Sequence, residues 1–205
     1  DVLPQVITKL KVLGIKPVLA VPGQLIEKGQ AVYKSLADSG IEFINHGYVQ
    51  HTHLELPDRI YKSSFFYHHL SKDRISQDIN MGHETICNIL GIRPTGFRTP
   101  HFGSFQKRSQ LRFLGKLLRS MEYEFSSSTL PAVGIWKGPL WTNHVVEVPV
   151  TGCPSWPTKV LDSWGFGFAP ARTVGKSDYV NEIERMFVDI NAGRNIVINI
   201  YADPS

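Results

Sequence analysis

A chain of 205 residues with 42% hydrophobic content is long enough to bury a full core as one domain, and its composition is neither fibrous nor that of a disordered segment. The 22 Lys and Arg against 18 Asp and Glu leave a net charge of +4, scattered apart from Lys107-Arg108 and the stretch Lys116 to Arg119; this weakly favours anionic surfaces or substrates and makes no case for nucleic acid. No apolar run approaches the roughly 20 residues that span a bilayer, no basic-then-apolar leader opens the chain, and two cysteines, Cys87 and Cys153, are too few for a disulfide framework or a structural zinc site. Free thiols are expected, and location is left open because a leader can be removed.

From Leu3 to Gly14, Val6, Ile7, Leu10 and Leu13 recur at helical spacing ahead of a glycine stop, and Pro17 to Val21 reads as a buried strand closed by Pro22-Gly23. A helix from Gln30 to Ser39 ends at Gly40, and the strand Ile41 to Ile44 delivers His46 at its C-terminal end. The longest helix, Ser71 to Leu90, aligns Ile75, Ile79, Ile86 and Leu90 on one stripe and stops at Gly91. Thr95 to Arg98 is the next strand, Ser104 to Ser120 a helix carrying Leu111, Leu114, Leu117 and Leu118, and Glu122 to Ser126 another strand. Leu130 to Asn143, rich in Gly, Pro and Trp, reads as a long loop with room for a short hairpin, before the strand His144 to Pro149. A helix from Asp178 to Ala192 and a strand from Asn195 to Ile200 close the pattern.

Strands alternating with helices imply an α/β fold with a parallel sheet, either open or closed as a barrel. His46, Arg98, Ser126 to Ser128, Glu147 and Asp203 fall at or just past strand C-termini, where barrel enzymes gather their chemistry. No glycine-rich phosphate or dinucleotide motif supports an open nucleotide-binding sheet. A distorted (β/α) barrel is the expected architecture.

The stretch Ile41 to His53 crowds His46, His51 and His53 behind an apolar run, and neutral imidazoles held at a strand end are a platform for a borderline divalent ion. Arg98, ending a second apolar run, places a planar guanidinium where it can orient a carboxylate or meet an oxyanion. His83 lies on the apolar stripe of the long helix and is expected to pack there, and His68-His69 to cap or face solvent. Trp136, Trp141, Trp156 and Trp164 fall in loops; each alone suits half-buried packing, and together they suit stacking on sugar rings.

The order Glu42-Phe-Ile-Asn45-His46-Gly47-Tyr48, a long helix, Gly91-Ile-Arg-Pro-Thr-Gly-Phe-Arg98-Thr-Pro100 and Val146-Glu147-Val-Pro149 resembles the polysaccharide deacetylase family, carbohydrate esterase family four, including its allantoinase-like branch. The resemblance covers nearly the whole chain, since Val2-Leu3-Pro4-Gln5-Val6 through Gly14-Ile15-Lys16-Pro17 and Val21-Pro22-Gly23 is similar to the family's first helix and second strand. It implies a barrel of about seven strands, a variant of the eight-stranded form. It also implies metal-assisted amide hydrolysis: a divalent ion, zinc with nickel and cobalt as alternatives, held by one aspartate and two histidines, polarises the acyl oxygen and activates a water. A second aspartate is then the general base and a late histidine the general acid.

Carried onto this chain, the resemblance makes His46 the first metal ligand. Gln50 stands where a second histidine is implied, so His51 is the expected second ligand with His53 as competitor, and two solvent-facing loop histidines as the bland alternative. Arg98 is implied to pair with the catalytic base, with a structural arginine tied to carbonyls at the barrel rim as the alternative, and Pro100 completes its motif. His101 lies where the family has an aromatic; with Tyr48, Pro100 and Trp164 it is assigned to substrate, a surface histidine being the alternative. Asp203 stands in place of the late histidine, as an acid with a burial-raised pKa or as a ligand, and Ser126 to Thr129 stand where a supporting aspartate is implied. The paired aspartates of the family's first strand precede the helix that here begins at Leu3, leaving only Asp1. The expected organisation is therefore one catalytic domain over residues 1–205, truncated at both ends. The expected activity is deacetylation of N-acetylated amino sugars in a polysaccharide, with an allantoinase-like amidohydrolase or an inactive glycan-binding relative as alternatives. The implied partner is a glycan or a small amide, with neither nucleic acid nor a membrane span.

Overall fold

The amphipathic stripes and short apolar runs fold into a parallel sheet faced by helices; the computed structural model describes residues 2–55, 60–163, 166, 176–191 and 197–201. Helix α1 (Val2–Val12) buries Ile7 in a cluster with Val21 of strand β1 (Val18–Val21), Ile26, Leu36 and Phe43. The Pro22-Gly23 pair, a breaker in the sequence pattern, is the N-cap and first residue of a short helix, α2 (Gly23–Lys28), followed by α3 (Gln30–Asp38) and strand β2 (Glu42–Asn45). A hairpin absent from the sequence reading comes next, β3 (Thr52–Glu55) antiparallel to β4 (Ile60–Ser63).

Helix α4 (Lys72–Thr85) is capped by the Ser71 hydroxyl, which accepts from the backbone N–H of Arg74 at 3.3 Å. A π-helical turn, Ile86–Leu90, extends it to Gly91, which adopts φ 72° as a left-handed stop. Ile75 and Ile79 pack there against Phe97 of strand β5 (Gly96–Phe97), Leu114 and Leu118 of helix α5 (Arg108–Ser120), and Tyr123. After strand β6 (Phe125–Ser126), the segment expected as a loop instead forms helix α6 (Pro131–Lys137), because Pro131 sits in the first helical turn, where its missing N–H has no intrahelical partner to lose. No hairpin forms within that segment alone; its last residues, β7 (Trp141–Asn143), instead run antiparallel to the following strand, β8 (Val145–Glu147). The pair β9 (Gly152–Cys153) and β10 (Trp156–Val160) and helix α7 (Lys176–Asn191) follow. Of the expected last strand, residues 195 and 196 lie outside the described residues. Residues 197–200 join no ladder, although Thr151 N–H donates to Asn199 O at 3.0 Å.

Among the described residues the main sheet runs β1-β2-β5-β6-β8-β7, parallel except for β7 at its edge. Its register is level: Val21 pairs with Asn45, Asn45 with Phe97, Phe97 with Ser126, and Ser126 with Glu147. The row above is level too, since Arg98 N–H donates to Asn45 O and Ser127 N–H to Phe97 O, both at 2.9 Å. Side chains alternate across a strand. The face that carries Phe43 and Phe97 meets the helices, and the opposite face brings Ile44, His46, Arg98, Phe125, Ser127 and Val148 to a common cavity.

Candidate functional site

The turn after β2 is held from two sides. Gly47 takes φ 76°, and its N–H donates to Asn45 Oδ1 at 2.9 Å. Asn45, fully buried, donates through Nδ2 to Ile79 O at 2.9 Å and Tyr123 Oη at 2.8 Å. From α4, Asp78 Oδ1 accepts the N–H groups of Tyr48 at 3.2 Å and Val49 at 2.9 Å, while Oδ2 accepts the Tyr67 hydroxyl at 2.6 Å. From the other side, the first N–H groups of α2, on Gly23 and Gln24, donate to Gly47 O at 3.0 Å and Tyr48 O at 2.9 Å.

This clamp sets two imidazoles against each other. His46 and His51 are 5% and 8% exposed, their ring centres 4.7 Å apart at 84°. His46 Nδ1 lies 2.7 Å from Arg98 O; a carbonyl only accepts, so Nδ1 carries the proton and Nε2 keeps its lone pair. Burial first, with the Arg98 charge adding to it, lowers the His46 pKa to about 4; burial and then His46 lower that of His51 to about 2. Both rings are therefore neutral at physiological pH. His51 Nδ1 is buried with no hydrogen-bond partner among the described residues. His101 meets the other edge of His51, ring centres 4.8 Å apart, but its Nε2 donates to His51 O at 3.1 Å and Ser64 O at 2.9 Å, and its ring stacks on Phe66.

Arg98 is also buried. Its Nη2 donates to Ser127 Oγ at 2.8 Å and Asn199 Oδ1 at 3.0 Å, and the guanidinium lies 5.3 Å from the Tyr201 ring centre. His46, His51, Arg98, Ser127, Asn199 and Tyr201 line one cavity of about 800 Å³. Of the other expected site residues, Pro100, His101 and Tyr48 do not line it; the Tyr48 hydroxyl donates to Glu27 at 3.1 Å. His53 is exposed on β3. Asp1, Trp164 and Asp203 lie outside the described residues. His83 is half-buried with Nδ1 2.9 Å from Tyr123 Oη, and His68 and His69 are exposed.

The residues from 1 to 122, which include the clamp, His46, His51 and Arg98, match the profile of the polysaccharide deacetylase family. The chain belongs to that family. No curated protein sequence matches it. Among solved structures, this deacetylase-family chain shares its fold with a Mycobacterium smegmatis protein carrying the polysaccharide deacetylase designation, at TM-score 0.69 and 16% identity, covering 99% of this chain and 63% of that one. It shares the fold with the PuuE allantoinase at TM-score 0.68 and 12% identity, covering 98% and 58%. A family 4 acetyl xylan esterase from Clostridium thermocellum, solved with a cobalt ion, follows at TM-score 0.52 and 17% identity, covering 100% and 68%. The family member described here thus spans less than two thirds of the length of the first two. The α/β fold read from the sequence is the (β/α)-barrel fold of these proteins. No helix among the described residues is long and apolar enough to cross a membrane.

The two ring centres stand at the separation expected of imidazoles that share an ion. Nitrogen ligands at about 2.1 Å and a tetrahedral angle put ring centres roughly 5 Å apart, close to the 4.7 Å observed. The His46 tautomer, fixed by a backbone carbonyl, is the outer-shell arrangement that orients ligating histidines. Among the described residues no third His, Cys, Asp or Glu joins the pair in a metal-holding group.

The sequence reading missed Asp78, Tyr67 and Asn199. Asp78 had a signal: it falls beside Ile75 and Ile79 on the buried stripe of α4, where a carboxylate must find donors. Asn199 had none, since it meets Arg98 across 101 positions of chain.

Proposed function

We propose that this polysaccharide deacetylase family member is a metal-dependent hydrolase of amide C–N bonds whose substrate is an N-acetylated amino sugar in a polysaccharide. The observation that carries the reading is the neutral His46–His51 pair facing the same cavity as the buried Arg98 guanidinium. His46 and His51 would hold the ion, zinc first with nickel and cobalt as alternatives, and the relative solved with cobalt supports a divalent ion in general. When bound, such an ion polarises an acyl oxygen and lowers the pKa of a water beside it.

The chain's own groups do the rest. The Arg98 carbonyl holds the His46 proton on Nδ1 and leaves Nε2 as the ligating atom. The Arg98 guanidinium, fixed by Ser127 and Asn199, presents a permanent positive charge that orients a carboxylate, whether the base's or that of released acetate. Asp203 is the proposed proton donor to the leaving amine. The cavity, about 800 Å³, is of a size to seat a saccharide unit.

The test is to equilibrate the purified chain with zinc, nickel or cobalt, remove loose metal, measure retained metal, and assay acetate release from a chitin oligomer. Retention of about one ion per chain with acetate release is the expected result; no retained ion overturns it. Hydrolysis of allantoin in place of acetate release would move the chain to the allantoinase-like reading. Retained metal and glycan binding with neither product would make it a non-catalytic glycan binder.

A further inference from the structure

The groove between α5 and α6 shares no residue with the central cavity, and its lining has a distinct chemistry. It encloses about 680 Å³ between Arg108 and Arg112 of α5, Trp136 and Lys137 of α6, and Trp141 of β7. Trp136 is 88% exposed, a large apolar surface left in water on a folded chain. Trp141 is part-exposed while its Nε1 is buried, so the surface it shows is ring carbon. No acidic side chain lines the groove, and none of its three cations belongs to an ion pair among the described residues. The floor is rigid: Asn143 Nδ2 donates to Leu111 O at 2.7 Å, and α5 rides so close to β7 that a Cβ on Gly115 would sit 2.1 Å from Asn143 O.

Apolar ring faces beside unpaired cations complement a ligand with a hydrocarbon face and an anionic edge. A sugar ring bearing a carboxylate has both: its C–H face stacks on indole, and its carboxylate accepts from guanidinium. Arg108, Arg112 and Lys116 recur every four residues, roughly 6 Å apart along α5, so the charge suits a repeating anion. The stripe ends at Glu122 and Glu124, and the chain's net charge is only +4, which is short of the extended basic track a nucleic-acid backbone needs. We infer that the α5–α6 groove is a second, non-catalytic saccharide site that takes a carboxylate-bearing glycan. It does not depend on whether the central cavity hydrolyses anything.

Binding of an oligogalacturonate, of a chitin oligomer of equal length and of single-stranded DNA to the full chain, followed by tryptophan fluorescence and calorimetry, tests the assignment. In the part of the binding that Trp136→Ala removes, which excludes the central cavity, the oligogalacturonate is expected to bind at least about tenfold tighter than the neutral chitin oligomer and to weaken with added salt. Trp136→Ala is expected to weaken it by about tenfold or more, and Arg108→Gln combined with Arg112→Gln to remove the preference for the charged glycan. All three side chains are exposed, so the variants should fold, as circular dichroism would verify. His46→Ala should leave this binding unchanged. Equal Trp136-dependent affinity for both glycans, indifference to Trp136→Ala, loss of the oligogalacturonate in His46→Ala, or tighter binding of the DNA would each overturn the inference.

Discussion

Gly47→Ala isolates the clamp that sets the two imidazoles. At φ 76° the backbone is left-handed, which costs an alanine about 1 kcal/mol. A Cβ built there falls 2.2 Å from Asp78 Oδ2 and 2.8 Å from the Tyr67 hydroxyl, so the carboxylate must move. Moving it weakens bonds at 2.6 Å to Tyr67, 2.9 Å to Val49 and 3.2 Å to Tyr48. Losing the equivalent of one hydrogen bond to a charged group adds about 1.5–3 kcal/mol, for a total of about 2.5–4 kcal/mol. Gly14 and Gly40 provide the controls: φ is 72° and 81°, and nothing lies within 4 Å of either Cβ, so alanine there meets the conformational cost alone. Urea unfolding of the three variants without metal should separate Gly47→Ala from the other two by about 1.5–3 kcal/mol, and its zinc affinity should fall by about tenfold or more while theirs holds. A Gly47→Ala protein no less stable than Gly40→Ala, or with undiminished zinc affinity, would refute the idea that Asp78 positions the histidines.

His46→Ala and His51→Ala should each lose retained zinc while His53→Ala keeps it; retention by either of the first two, read by elemental analysis, removes that ring from the site. Because the folded pKa values of His46 and His51, about 4 and about 2, lie below the ordinary 6.5, the unfolded chain takes up protons first as pH falls. Their contribution is complete above pH 6.5 and is lost below it, at about 1.4 kcal/mol per pH unit for each ring until His46 protonates near pH 4. Denaturant unfolding of the metal-free chain as pH is lowered measures this, and a flat profile contradicts it. Arg98→Lys should cost about 1–3 kcal/mol, since an ammonium cannot reproduce the planar guanidinium's bonds to Ser127 Oγ and Asn199 Oδ1 together with its place over the Tyr201 ring; thermal melts would expose a neutral outcome. Glu147→Gln, which keeps an acceptor, should change stability by less than about 1 kcal/mol, whereas Glu147→Ala strands three donors and should cost about 2–4 kcal/mol. Equal losses in the two would mean that the charge, not the oxygen, matters.

What was legible in the sequence follows from locality. The stripe Ile75, Ile79, Ile86, Leu90 repeats at the helical period, so α4 and its glycine stop were readable, as was β2 with His46 behind it. Helix α6 was misread because Pro131 and Gly138 look like loop punctuation, yet proline in a first helical turn and glycine at its end are also the marks of a short helix. The β3–β4 hairpin escaped because Thr52-His-Leu-Glu55 has no clean alternation of polar and apolar residues, and three of its four residues are exposed. The contacts that build the site are long-range: Asp78 reaches Tyr48 and Val49 across about thirty positions, and Asn199 reaches Arg98 across 101. Residue types and strand ends can be read along a chain, but which carboxylate serves which loop is fixed only by the fold.

The polar groups at the level strand ends are unequally paired, which is the reason the two imidazoles are proposed as the ligands. A buried polar group must be paired, and one already paired to backbone has little capacity left for chemistry. Glu147, placed by sequence among the residues of a barrel enzyme's working face, spends Oε1 on Ser128 N–H at 2.7 Å, Thr129 N–H at 2.8 Å and the Thr129 hydroxyl at 3.0 Å; it is a brace for the turn after β6. Ser126 and Ser128 bond each other at 2.9 Å, and Ser128 also takes Thr99 N–H. Asn45 and Asp78 are consumed in the β2 turn, and His101 Nε2 in two carbonyls. His46 differs, because its one fixed bond uses Nδ1 and orients the ring while leaving the other nitrogen's lone pair unspent. His51 brings a neutral ring edge to it at 4.7 Å. The surrounding hydrogen bonds thus occupy Glu147 Oε1, Ser126, Ser128, Asn45, Asp78 and His101 Nε2 while the His46 ring is oriented through one nitrogen alone, the arrangement that the proposed ligating role calls for.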